Sequence, residues 1–141
     1  MKNKLYPCLW FDGQAREAAD FYCSIFPNSK IVDDSGMVVN FELDGKLFMA
    51  LNGGDLYKFT EAVSFVIPCK DQQEIDYYWE KLTTEGGKEG RCGWCIDKFG
   101  LSWQVVPEIL GELMSDPTRS RRVMDAFMQM NKFDIEALRN A

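Results

Sequence analysis

The sequence predicts an α+β fold of two strand–helix–three-strand modules, βαβββ twice over, followed by a helical tail. Three observations predict it. Residues 5–22 (LYPCLWFDGQAREAADFY) and 63–80 (VSFVIPCKDQQEIDYYWE) share one plan: a short apolar strand, an acidic turn, then an amphipathic helix ending in aromatics. Each is followed by a strand-rich stretch with an acidic-then-glycine turn, DGKLFMALN at 44–52 and DKFGLSWQVV at 97–106. After Pro107 the alternation of strands gives way to helical spacing. A repeat of this length signals two supersecondary units that bury sheet faces against each other, with a cleft between the copies.

The elements follow in order. Residues 4–11 read as a strand, and Asp12-Gly13 as a turn. Residues 14–26 carry Ala15, Ala18, Ala19, Tyr22 and Phe26 at helical spacing, and Pro27-Asn28 stops that helix. Strands are expected at 29–34 and 37–43, joined at Asp34-Ser35-Gly36. Asp44-Gly45 is a two-residue hairpin signal leading into a strand at 46–52. Asn52-Gly53-Gly54-Asp55 opens the loop between modules. The pattern restarts with a strand at 62–69 and a helix at 71–84 carrying Ile75, Tyr78, Trp79 and Leu82, which Gly86-Gly87 ends. Strands near 88–96 and 100–106 complete the second module, and Pro107, lacking an amide donor, ends strand pairing. Helices at 108–114, 118–131 and 134–140 form the tail.

At 141 residues the chain is most simply one domain, with a first module over about 1–55, a second over about 60–107 and the tail at 108–141. Hydrophobic residues make up 46% and aromatics 13%, enough for a packed core. A net charge of −6 argues against sequence-independent binding of nucleic acid or anionic lipid. The basic cluster Arg119, Arg121 and Arg122 reads as a solvated helix face. No apolar run approaches the ~20 residues of a membrane span, and the N-terminal residues lack the pattern of a signal peptide, so the expected location is the cytoplasm. The five cysteines are an odd set and read as free thiols in a reducing compartment.

Strand side chains alternate between faces, so parity sorts them. Leu101, Trp103 and Val105 form one apolar face, as do Val63, Phe65, Ile67 and Cys69, which leaves Ser102, Gln104 and Val106, and Ser64, Val66 and Pro68, on the other. Aligning the repeats on their turns sets Tyr6 on Ser64, 58 residues later, and Met49 on Gln104, 55 residues later. Tyr6, Met49, Ser64 and Gln104 are therefore expected to look into one space, each from a different strand.

These features resemble a known family. The segments PCLWFDGQAREAADFYCSIFPNSKI, FELDGKLFMALNGG, YKFTEAVSFVI and, most specifically, GRCGWCIDKFGLSWQVVP at 90–107 resemble the vicinal oxygen chelate superfamily that includes glyoxalases and bleomycin-resistance proteins. More narrowly they resemble its PhnB-like branch, often labelled 3-demethylubiquinone-9 3-methyltransferase. The resemblance implies a cup-shaped mixed sheet, a homodimer, and a pocket lined by inward strand residues. Metal-dependent members of the superfamily place His or Glu where this chain has Tyr6, Met49, Ser64 and Gln104. None of these suits a divalent catalytic ion, and the chain has no histidine at all, so no metal or other cofactor is expected. The methyltransferase label implies a nucleotide-sized methyl donor, usually held by a glycine-rich strand-to-helix turn, but Gly53-Gly54 precedes a loop.

Other candidates have plainer readings. Cys92-Gly93-Trp94-Cys95 has the spacing of a redox pair, but strand and turn follow it instead of a helix N-terminus, and alternation puts the two thiols on opposite faces, so both read as structural. Among Glu42, Glu61, Glu85, Glu89 and Asp97, most are expected in solvent, and Glu42 is the best candidate for a pocket carboxylate. Arg91 could grip an anionic group, with a surface ion pair as the plainer role. Trp10, Phe48, Trp94 and Trp103 are expected mostly in the core, with Trp94 as a candidate for the pocket lining. No catalytic residue is assigned. The favoured reading is a metal-independent dimer binding a small organic molecule in the cup. The alternatives are an enzyme with a carboxylate or tyrosine acid/base group, and an interaction scaffold with a vestigial site.

Overall fold

In the computed structural model, which describes residues 4–141, the chain divides into two units, one ending at Phe59 and one running from Thr60 to Ala141. The first unit contains β1 (Cys8–Phe11), α1 (Ala15–Ile25), β2 (Lys30–Asp34), β3 (Val38–Leu43) and β4 (Lys46–Asn52). Its sheet has the order β1-β4-β3-β2, with β1 parallel to β4 and the other pairs antiparallel. The second unit contains β5 (Ser64–Cys69), α2 (Gln72–Thr83), β6 (Lys88–Glu89), β7 (Trp94–Ile96) and β8 (Ser102–Pro107), followed by α3 (Ile109–Met114), α4 (Ser120–Phe127) and α5 (Ile135–Arg139). Its sheet repeats the plan in the order β5-β8-β7-β6, again with one parallel pair, β5 with β8. The fold is α+β with two mixed four-stranded sheets and a helical C-terminus, as the sequence predicts.

The spacing of apolar residues explains each core. On α1, Ala15, Ala18, Ala19, Tyr22 and Ile25 are buried at intervals of three or four, so one face of the helix lies on the sheet. Beneath it lie Leu9, Phe11, Val39, Phe41, Leu43, Phe48 and Ala50. The small alanines let the helix approach closely, and Tyr22 and Phe41 stack with centroids 6.3 Å apart. The N-terminus of α1 has no local side-chain cap; the Ala15 amide instead donates to Asn52 Oδ1 at 2.9 Å, tying the helix start to the end of β4. On α2, Ile75, Trp79 and Leu82 face Ile67, Cys69, Cys95, Trp103 and Val105. Asp71 caps this helix by accepting from the Glu74 amide at 2.9 Å. The hairpin at Asp44-Gly45 has φ of +52° and +77°, the two left-handed residues that match strand twist.

Several boundaries differ from the sequence reading. β1 begins at Cys8, not at residue 4, because its ladder with β4 starts at the Cys8–Met49 pair; Pro7 contributes only its carbonyl, which accepts from the Met49 amide. β5 begins at Ser64, and Val63 is exposed ahead of it instead of joining the buried face. The strand expected near 88–96 is interrupted by a turn over residues 90–93, in which Cys92 and Gly93 have φ of +58° and +82°. The helix expected at 118–131 ends at Phe127, since the chain then turns so that the carbonyls of Met130 and Asn131 accept from the amides of Cys92 and Gly93. No helix among the described residues is long and apolar enough to cross a membrane.

Candidate functional site

Each sheet has one face under its helix and one turned away from it. In the second unit the outward face is set by two rows of cross-strand partners. Ser64, Ser102 and Ile96 form one row, and Val66, Gln104 and Trp94 the next. Gln104 Nε2 donates to Ser64 Oγ at 3.0 Å across the two rows. Ser64, Gln104, Trp94, Ile96 and Val106 are half-buried and Val66 is exposed, so three polar side chains from β5 and β8 stand within a largely apolar field. Ser102 is 0% exposed, and its Oγ has no hydrogen-bond partner among the described residues.

In the first unit the matching face carries Cys8, Met49, Asn40 and Asp33 in one row, with Trp10, Leu51 and Val38 on one side of it and Glu42 and Leu47 on the other. Asn40 Nδ2 donates to Asp33 Oδ1 at 2.8 Å. Met49, Asn40, Glu42 and Trp10 are half-buried. Trp10 Nε1 donates to the Gly54 carbonyl, and a Cβ on Gly53 would lie 2.4 Å from the Trp10 ring, so glycine there is what admits the indole.

The registers place the sequence-predicted residues. The partners Cys8–Met49 and Val66–Gln104 are separated by the same offsets, 58 and 55 residues, that align the repeats. Met49 and Gln104 thus occupy equivalent positions, and Ser64 and Gln104 are in direct contact. Tyr6 departs from expectation: it precedes β1 and is 41% exposed, so it does not project from a strand. Trp94 lies beside Gln104 as its cross-strand partner, while Phe48 and Trp103 belong to the cores. Glu42 lies on the outward face of the first unit. Arg91 is exposed in the 90–93 turn.

Two further corrections concern buried chemistry. Asp97, expected in solvent, is 2% exposed. Its Oδ1 accepts from the amides of Phe99 (2.8 Å) and Leu101 (3.1 Å), and its Oδ2 from Trp103 Nε1 (2.8 Å). It is buried because the turn over residues 97–100 folds back on itself, with Gly100 donating to the Asp97 carbonyl and the Asp97 amide to Leu101. The second concerns the cysteine pair. Cys92 is not on a strand; it sits in the left-handed turn with Sγ 3.7 Å from Met128 Sδ, while Cys95 lies on the core face of β7. Burial foremost, then the charges of Asp97 and Glu89, pushes the Cys95 thiol up to about 12, so it is protonated and unreactive near neutrality.

Among the described residues no three His, Cys, Asp or Glu side chains cluster as metal ligands. A separate cleft of about 530 Å³ lies between the start of α2 and α5, lined by Lys70, Asp71, Gln72, Asp134, Ile135 and Arg139 among others. Two of its three acidic groups already serve the backbone: Asp71 and Asp134 cap the two helices. We therefore place the candidate site on the outward sheet face instead.

The comparisons agree with this architecture. Residues 3–106 match the model of a family described as 3-demethylubiquinone-9 3-methyltransferase. A PhnB protein from Bacillus cereus is 31% identical, with the match covering 74% of this chain and 99% of that one at a TM-score of 0.67. Two more distant structures share the fold. One is the fosfomycin resistance protein FosX from Listeria monocytogenes, solved in complex with Mn(II) and sulfate (15% identity, 81% and 96% coverage, TM-score 0.60). The other is a glyoxalase-related enzyme from Fulvimarina pelagi (13% identity, 76% and 88% coverage, TM-score 0.56). A search of curated proteins gives no match.

Proposed function

Because the chain belongs to the 3-demethylubiquinone-9 3-methyltransferase family, a PhnB-like branch of the vicinal oxygen chelate superfamily, we propose that it binds a small, partly apolar organic molecule and does so without a metal. The observation that carries this reading is the Ser64–Gln104 pair, set among Val66, Trp94, Ile96 and Val106 on the outward face of the second unit. A field of apolar side chains with a few placed hydrogen-bonding groups is how proteins hold small neutral molecules.

The donor set argues against a divalent ion of the kind FosX holds. At the matching positions this chain offers a thioether, a hydroxyl and a carboxamide, with a phenol ahead of β1, and no imidazole or carboxylate. Methyl transfer, which the family's description names, lacks a visible cradle for its donor. Gly53-Gly54 leads from β4 towards β5 with no helix between them. A second reading, an enzyme, rests on Glu42, a half-buried carboxylate on the outward face of the first unit that could act as a general base. The proposed assembly is a homodimer, supported by the family resemblance, and the proposed location is the cytoplasm, which suits five free cysteines.

Native mass spectrometry of the untagged protein tests the proposal. The expected species is a dimer carrying a small organic mass and no stoichiometric metal. Gln104→Ala and Ser64→Ala should each weaken retention of that mass about fivefold, the effect of one hydrogen bond of about 1 kcal/mol. Unchanged retention in both variants would remove the site assignment, and a tightly held divalent ion would remove the metal-free reading.

A further inference from the structure

We infer that Ser102 orients the ligand of the outward face in the second unit, and that this ligand presents a neutral oxygen acceptor such as a carbonyl. The inference rests on the small-molecule reading above and adds to it the chemical class that the site selects.

Ser102 is 0% exposed and its Oγ has no partner among the described residues. Buried hydroxyls are nearly always hydrogen-bonded, because burying one unpaired costs free energy that apolar packing does not return. Alanine at this position would avoid that cost. The hydroxyl lies at the centre of the polar cluster: Ser102 is the cross-strand partner of Ser64 on one side and of Ile96 on the other, with Gln104 two residues along the same face. Neighbouring strands lie about 4.8 Å apart, so a single acceptor atom between β5 and β8 can take a hydrogen bond from both serine hydroxyls. Gln104 Nε2 already donates to Ser64 Oγ, which leaves the Ser64 proton free to point at that atom. Access runs past Ser64 and Gln104, the half-exposed margin of the cluster.

The surrounding side chains set the charge of what can enter. Ser64, Val66, Trp94, Ile96 and Gln104 are all uncharged. A carboxylate drawn in beside Ser102 would lose its hydration without gaining a counter-charge. A carbonyl loses far less, and the two hydroxyls replace its water.

The test compares acetophenone, ethylbenzene and benzoate as probes by NMR titration of the full chain. Acetophenone should shift the amides of residues 64, 102 and 104 and bind about tenfold tighter than either of the others. Ser102→Ala should weaken acetophenone binding about fivefold, the effect of one of its two hydrogen bonds, leave ethylbenzene unchanged, and raise the melting temperature, since the unpaired hydroxyl is gone. Ser102→Cys, of similar size with a weaker donor, should fall between. A lowered melting temperature in Ser102→Ala would show a structural hydroxyl and overturn the inference. Equal affinities for acetophenone and ethylbenzene, both shifting the same amides, would overturn it while leaving the face as a binding surface. If none of the probes shifts those amides, both the inference and the site it rests on fall.

Discussion

Asp97 accepts three hydrogen bonds at once, two from backbone amides and one from the Trp103 indole, and thereby fixes the turn that delivers β8. Removing its carboxylate takes this acceptor away from the buried Leu101 amide and from the Trp103 Nε1–H. Each lost acceptor of a buried donor costs about 1–3 kcal/mol, so Asp97→Ala should lower stability by about 2–6 kcal/mol, a large share of the 5–15 kcal/mol typical of a domain. Asp97→Asn keeps one oxygen for the two amides but turns a donor towards the indole, and should lose distinctly less. Urea unfolding of the two variants decides this: equal losses would mean that the hydrogen bonds are not what Asp97 supplies. The sequence showed this residue only as an acidic hairpin turn, which normally points to water. Parity made Trp103 legible as a core residue, but nothing in the spacing of Asp97 and Trp103 shows that a carboxylate reaches under the strand to meet it. The same limit applies to the candidate site. Ser64 and Gln104 follow from alternation and the repeat offset, and the structure joins them. The complete burial of Ser102 depends on cross-strand register, which one sequence does not contain.

At the scale of elements, the tail is held by backbone geometry more than by charge. The Gln72 side chain donates to the Phe133 carbonyl and accepts from the Ile135 amide, both at 2.8 Å, so one carboxamide pairs with the tail as a neighbouring strand would. The amides of Cys92 and Gly93 bond to Met130 and Asn131, and Phe133 packs over Gly93 so closely that a Cβ there would lie 2.4 Å from its ring. The Lys132–Asp76 ion pair at 2.8 Å is about half exposed and contributes little by comparison. Gly93→Ala therefore meets two penalties, a left-handed φ of +82° and a collision with Phe133, and should lose about 3 kcal/mol. Gly100→Ala has a similar φ of +91° but open space around it, and should lose only about 1–2 kcal/mol. Thermal melts of the pair separate strain from packing; equal shifts would show that the tail does not press on Gly93. This docking also explains why α1 and α2 were legible to within a residue or two while α4 was not. The first two follow a periodic apolar stripe against their own sheets. After Phe127, hydrogen bonds to the 90–93 turn outcompete further helical bonds, and apolar spacing through Met130 carries no trace of that.

For the molecule as a whole, the duplication written in the sequence is exact enough to compare unit with unit. The core positions of Phe11 and Phe41 in the first unit correspond in register to Cys69 and Cys95 in the second. One unit thus fills these sites with aromatic rings, and the other with thiols that burial pushes from an ordinary value of 9.0 up to about 12 in both cases. A thiol whose folded pKa lies above its unfolded one favours the folded state while it stays protonated. That contribution is fully present below about pH 9 and is lost as pH rises towards about 12, where the unfolded chain has already released the proton. At these two core positions the second unit therefore carries an alkaline weakness where the first has rings that do not titrate. Urea midpoints measured between pH 8 and pH 11 (roughly the window in which unfolded thiols ionise) should fall more steeply for the wild type than for a Cys69→Val, Cys95→Val variant, whose side chains cannot titrate. Tyrosines and lysines also titrate in this range, but they are common to both proteins and cancel in the comparison. Parallel slopes would show that neither thiol governs the alkaline limit.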